Sequence, residues 1–285
     1  MVVACPNYRL PVIVVAGLCL LLALVTGSAH GVRSEATDDP QANPIWLKVR
    51  ASLFEGRVIA PAPPGMLTLE VPARAIDAAV VPIAIRTRLP KSSSSHVSKL
   101  YLIIDANPSP ISAIFQFTPQ SGRAEVETRV RVDDYSQVRA IAEMSDGQLF
   151  ATSRFVKASG GCSAPAGSDA RAAIASLGQM RLRVEGDLRG REPVLAQLLI
   201  DHPNHSGLAM DQATRQFTPA HYVRNVQVSV GDQLVFSADV DFSMSENPYF
   251  RFYFVPQRDA ELRATVVDSR ELRFVSAQAL RHVAP

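Results

Sequence analysis

The chain has 285 residues, with 29 basic and 27 acidic side chains and a formal net charge of +2. Lys and Arg are scattered and almost balanced by Asp and Glu, so there is neither a nucleic-acid footprint nor a polybasic membrane surface. Past the first thirty residues no stretch is long and apolar enough to span a bilayer, so no membrane span is expected once that leader is removed.

The N-terminus reads as a secretory signal over residues 1–31. Arg9 supplies a short positive region, Leu10 to Val25 an apolar one, and Gly27-Ser28-Ala29 or Ala29-His30-Gly31 a small-residue exit. Leu18, before Cys19, is bulkier than a lipoprotein signal takes. The expected location is therefore the periplasm, with the signal removed. Cys5 and Cys19 leave with the leader, and Cys162 remains as the single thiol. Exported proteins pair their cysteines or lack them, so an unpaired one points to intermolecular chemistry or a reactive thiol. The alternative is a small buried hydrophobe.

About 255 residues remain, enough for two domains of roughly 100–200 residues. A polar lead covers residues 32–44, and short β segments follow over 45–157. These are Met66 to Val71, Val80 to Arg88, Lys99 to Asp105, Thr128 to Val132, and Val138 to Met144 with Gln148 to Val156. The last two flank Asp146-Gly147, a tight-hairpin dipeptide. The Ser-rich run Pro90-Lys91-Ser92-Ser93-Ser94-Ser95 is a break. Residues 158–178 form a small-residue linker, in which Ser168 is expected to cap a short helix, Asp169 to Leu177, stopped by Gly178. β segments resume over 179–285: Met180 to Val184, Val194 to Asp201, Tyr222 to Val230 with Gln233 to Asp239 about Gly231-Asp232, Phe250 to Phe254, Leu262 to Asp268 and Leu272 to Ser276. The class is all-β, two immunoglobulin-like β-sandwiches in tandem.

Gly160 and Gly161 lack Cβ atoms, and Ser163 and Ala164 are small. Cys162 is thus expected on a slim, flexible segment able to enter a partner's pocket. Arg154 and Lys157 stand upstream, where they could favour the thiolate. The competing reading is a linker with an incidental cysteine. His202, His205 and His221, with Asp201, offer imidazoles and a carboxylate to zinc or copper. Asn204 and Ser206-Gly207 instead favour a turn and a domain contact there, so no metal site is assigned. Asp133-Asp134, and Asp77 with Glu70, read as solvated strand ends, and the aromatic run around Phe252 as sandwich core.

Several stretches resemble a known family. Gly160-Gly161-Cys162, Arg74-Ala75-Ile76-Asp77-Ala78-Ala79-Val80-Val81-Pro82-Ile83 and Ile104-Asp105-Ala106-Asn107-Pro108-Ser109-Pro110 resemble SoxY, the periplasmic carrier of thiosulfate oxidation. His202-Pro203-Asn204-His205-Ser206-Gly207, Pro219-Ala220-His221-Tyr222-Val223 and Ser245-Glu246-Asn247-Pro248-Tyr249 resemble its partner SoxZ. The order resembles the fused SoxYZ-like carriers associated with quinoprotein dehydrogenases. The resemblance implies a carrier without catalytic machinery or cofactor. Cys162 would be the covalent attachment point for a small sulfur species, and the partners periplasmic enzymes such as a quinoprotein dehydrogenase or a cytochrome c. The chain departs from SoxY in placing its cysteine internally, followed by Ser163-Ala164-Pro165, so that Cys162 is expected at a loop apex and the cargo is open. The alternative is a non-covalent adaptor for a quinoprotein dehydrogenase in which Cys162 is dispensable. A metal-binding module is a third reading.

Overall fold

A computed structural model describes residues 39–280, apart from 90–93, 166, 168, 169, 191, 212, 213 and 258. The expected signal at 1–31, most of the polar lead, Ser168-Asp169 and the Pro90-Lys91-Ser92-Ser93 part of the break lie outside the described residues. Among the described residues no helix is long and apolar enough to cross a membrane.

The first half contributes β1 (Ile59–Pro61), β2 (Leu67–Glu70), β3 (Val81–Thr87), β4 (Val97–Ile104), β5 (Ile111–Phe117), β6 (Val126–Val130), β7 (Ser136–Met144) and β8 (Leu149–Val156). The second contributes β9 (Met180–Glu185), β10 (Val194–Ile200), β11 (Val223–Val230), β12 (Gln233–Val240), β13 (Tyr249–Phe254), β14 (Glu261–Asp268) and β15 (Arg273–Ala279). The all-β expectation is met, and the hairpins turn at Asp146-Gly147 and Gly231-Asp232. The two sandwiches do not merely abut. Their strands join into one nine-stranded sheet, β1-β8-β7-β4-β5-β12-β11-β14-β15, facing one six-stranded sheet, β2-β3-β6-β13-β10-β9.

Two antiparallel pairings make the joint. β5 pairs β12, with Phe117 opposite Phe236 and Phe115 opposite Ala238. β6 pairs β13, with Val126 opposite Phe252. Measured between ring centroids, Phe117 and Phe236 lie 6.2 Å apart within the nine-stranded sheet, and across the two sheets Phe236 and Phe252 lie 4.7 Å apart and Phe115 and Phe250 6.4 Å. Offset and edge-on aromatic contacts of this kind add to the burial each ring contributes. One hydrophobic core consequently runs through both halves.

β4 and β7 bury residues on both faces rather than alternating, because a helix covers their outer side. That helix, α1 (Pro44–Phe54), was not expected from the sequence. The Asn43 side chain accepts the Ile45 and Trp46 N–H groups at 2.8 and 3.2 Å, and Pro44 stands at the first helical position. Trp46, Val49 and Phe54 form a second cluster with Tyr101, Ile103, Ile141 and Leu149. Beneath it Arg139 donates to Asp105 at 2.8 and 2.6 Å and stacks under Trp46, 4.5 Å from the ring centroid. The linker helix, α2, is shorter than expected and spans Ala170–Ala175.

A shared core makes the halves one cooperative unit. Phe236→Ala is expected to cost about 3–5 kcal/mol and to lower a single calorimetric transition. A second, unshifted transition would show that the halves unfold separately.

Candidate functional site

The site forms where four segments of the chain meet. After β8, Lys157 N–H donates to the Ala73 carbonyl and Ala75 N–H to the Lys157 carbonyl, stitching the cysteine segment to the 72–80 loop. Gly160 N–H then donates to the Asp133 carbonyl at 2.7 Å and Gly161 N–H to that of Val132 at 3.1 Å. Cys162 N–H donates to the Asp133 carboxylate at 3.2 Å. From the second half, the Ser206 hydroxyl donates to the Cys162 carbonyl at 2.5 Å. The Arg131 guanidinium reaches the Gly161 carbonyl at 3.4 Å and the Asn204 carbonyl at 3.2 Å.

These contacts replace the extended, flexible arm expected from Gly160, Gly161, Ser163 and Ala164 with a segment folded onto the body. Gly160 takes a positive φ of 77°, and Gly161 passes between two backbones. A Cβ built on Gly161 falls 2.1 Å from the Ala78 carbonyl oxygen and 2.6 Å from that of Val132. The glycines thus serve close approach. Cys162 is 0% exposed, whereas Ser163 stands in solvent and Ala164 is half-buried.

Burial, and after it the Asp133 charge, push the Cys162 thiol up to about 12, while Arg131 pulls the other way. Docked, the sulfur is held as the thiol. The nearby cation is Arg131. Lys157 and Arg154 are exposed, and Arg154 bonds the Ser153 carbonyl. Asp133, read from the sequence as a solvated strand end, grips the cysteine amide. Its signal was missed because the carboxylate's role depends on a segment 29 residues away. Asp77 and Glu70 stay apart, the former accepting the Ala79 N–H and the latter pairing with Arg86.

A buried polar cluster stands behind the site. His202 and His221 meet edge to face, 4.6 Å between centroids. Asp268 lies 2.7 Å from His221 Nε2 and 3.6 Å from His202 Nε2. The carboxylate that joins the histidines is therefore Asp268. Asp201 pairs with Arg181 instead, and His205 contributes its backbone carbonyl to the His221 N–H. His202 Nδ1 accepts the Asn204 N–H at 3.0 Å. A neutral imidazole accepting at Nδ1 carries its proton on Nε2, which faces Asp268 at 3.6 Å without a hydrogen-bond partner. The turn and domain-contact reading fits this cluster. Asn204, fully buried with a positive φ of 47°, also donates to the Met244 carbonyl and accepts the Val223 N–H. It links the histidine pair to Arg131 and thence to Gly161. A larger cavity of about 1060 Å³, lined by Arg86, Arg88, Arg123, Glu125 and Tyr253 among others, shares no residue with this site.

Comparison with known proteins gives the class of the chain. Residues 50–162 match the family model Sulfur oxidation protein SoxY, and residues 182–279 match Sulphur oxidation protein SoxZ. The chain is a fused SoxYZ-like protein of the sulfur-oxidation carrier class, whose members are generally non-catalytic and work with partner enzymes. No curated protein matches it. Among solved structures, the sulfur carrier protein SoxY from Chlorobium limicola f thiosulfatophilum is 22% identical, with a TM-score of 0.32, covering 39% of this chain and 89% of its own. The Bacteroides ovatus mixed-linkage glucan utilization protein SGBP-B is 12% identical, with a TM-score of 0.20, covering 79% and 46%.

Burial, with the His221 charge second, holds His202 down at about 4 against an ordinary 6.5. Between those values the unfolded chain binds a proton that the folded chain refuses, so stability falls as the pH drops from 6.5 to 4. The slope reaches about 1.4 kcal/mol per pH unit, and His202→Asn is expected to remove it; equal slopes in both proteins would contradict this. Gly161→Ala forces the cysteine segment off two carbonyls. It is expected to raise the rate of Cys162 modification by Ellman's reagent by about tenfold or more, and an unchanged rate would contradict the packing described.

Proposed function

We propose that the chain is an exported, periplasmic carrier that holds a sulfur-containing intermediate on Cys162 and presents it to partner enzymes. The observation carrying this reading is that the SoxY match ends on Cys162, which is also the one free cysteine among the described residues. It sits where Asp133 from the first half and Ser206 from the second close over it. The chemistry asks little of the protein. A Cys162 thiolate attacks a sulfur bearing a leaving group, an S–S bond forms, and the leaving group departs with its electron pair. Attack by a partner's nucleophile reverses the step.

Docking controls when that chemistry runs. A thiol at about 12, against an ordinary value near 8.5, has on the order of 10³-fold less thiolate at neutral pH. Release restores ordinary reactivity, and redocking shields whatever the sulfur carries. By resemblance to fused SoxYZ-like carriers, the partners include a quinoprotein dehydrogenase or a cytochrome c.

The burial of Cys162 favours a second reading, a non-covalent adaptor in which the thiol is only packing. Intact mass of the protein from its native compartment, before and after reduction, separates the two. The carrier shows a reductant-labile addition on Cys162, and Cys162→Ser abolishes pathway activity with little change in Tm. An unmodified thiol, with full activity in Cys162→Ser, establishes the adaptor.

A further inference from the structure

Among the described residues the two sheets end in four edge strands, β1 and β15 on the larger sheet and β2 and β9 on the smaller. An edge strand presents a row of unpaired backbone groups, and shortness, proline or charge normally protects it. Three of the four edges have such protection. β1 is three residues long and ends in Pro61, and β2 is four long and ends in Glu70. β9 carries the exposed charges of Arg181, Arg183 and Glu185. β15 has seven residues, and after Arg273 it contains neither a charge nor a proline.

The pairing of β15 with β14 fixes which backbone groups are left over. Asp268 N–H donates to the Leu272 carbonyl at 3.1 Å. Bonded and non-bonded pairs alternate from there, in the register that sets Val266 opposite Phe274. Phe274, Ser276 and Gln278 thus turn their N–H and C=O groups toward β14, whereas Val275, Ala277 and Ala279 turn theirs away from the sheet. Side chains alternate with the same period. Phe274 lies over Gly178 on the inner side, and Val275 is 49% exposed on the outer side, with Ala277 and Ala279 also exposed. Gln278 Oε1 is buried without a hydrogen-bond partner.

We propose that β15 pairs antiparallel with β15 of a second copy of this chain, about a two-fold axis through Ser276. A second copy suits this edge because the strand is complementary to itself from end to end. Val275 of each copy lies opposite Ala277 of the other, and Arg273 opposite Ala279, so no like charges meet. Every residue of the strand is paired, with about eight backbone hydrogen bonds between the copies. Ser276 of the second copy becomes the diagonal neighbour of Gln278, within reach of its unpartnered oxygen. The contact is isologous and occupies both edges, so it closes at two copies and does not grow into a fibre. It goes beyond the carrier reading and does not depend on it. None of the residues that bond Cys162 lies on β15, so the paired copies carry two Cys162 sites on one particle.

Sedimentation velocity of the full chain over a concentration series, with reductant present to remove any dimer linked through Cys162, tests the pairing. The mass is expected to rise from one copy to two, with a midpoint on the order of 10 μM for so small a contact. Val275→Lys, a charge on the exposed face of the edge, should raise that midpoint about tenfold or more without lowering Tm. The register is read by cross-linking in a Cys162→Ser background. The two Ser276 Cα atoms face each other on the axis at about 4.5 Å, within disulfide reach, so Ser276→Cys is expected to oxidise to a covalent dimer. Gln278→Cys, displaced from its counterpart by about 13 Å along the strand, is not. A monomer at every concentration overturns the proposal. So does a dimer that Val275→Lys leaves unchanged, or one that cross-links through Gln278→Cys in preference to Ser276→Cys.

Discussion

The aromatic seam between β5 and β12, and between β6 and β13, is the constraint on which the rest of the structure depends. Phe115 and Phe117 come from one half, and Phe236, Phe250 and Phe252 from the other. Their packing fixes the halves at one angle and one register. Without that fixity Ser206, carried by the second half, could not sit 2.5 Å from the carbonyl of Cys162, carried by the linker that leaves the first. A closed thiol site built from two domains needs a rigid joint, because hydrogen bonds at these distances tolerate little movement.

Given that joint, the small residues around the cysteine acquire a different meaning. A glycine pair beside a thiol suggests freedom of movement, and in an extended chain it would provide it. Here Gly161 is the one residue type that fits between the carbonyls of Ala78 and Val132, and Gly160 makes the turn that delivers it. The same composition thus serves a docked state as well as a released one. The docked state silences the sulfur by burial and by the Asp133 carboxylate. Behind it the buried chain His202–Asn204–Arg131 ties the floor of the site to Asp268.

Most of the strand content was legible because period-two burial is written into the residues, as in β10 and β13, where buried and half-buried positions alternate strictly. The joint was not. β5 lies between Pro110 and Pro119, and Ala113 and Gln116 dilute its apolar run, so the strand that carries the seam is weak as local pattern. It is held between β4 and β12, the latter well over a hundred residues away. Helix α1 was missed for a related reason: Asn43-Pro44 marks its start, but its apolar face is short and gains its partners only when β4 and β7 are assembled. At the site, the sequence singled out Cys162, Gly160 and Gly161 and the histidines. It could not single out Arg131, Asp133 or Asp268, because a charged residue at a strand end looks alike whether it faces water or a cysteine.

Silencing of Cys162 in the docked site, with contacts from both halves holding it closed, is the claim on which the functional reading turns. The direct measurement is the rate at which Ellman's reagent modifies Cys162 in the native full chain, with Ser206→Ala alongside and the unfolded chain as reference. Native modification is expected to be on the order of 10³-fold slower than unfolded, with Ser206→Ala faster than the native protein by about tenfold as one closing hydrogen bond is lost. A native thiol that reacts as fast as the unfolded one, indifferent to Ser206, would contradict it.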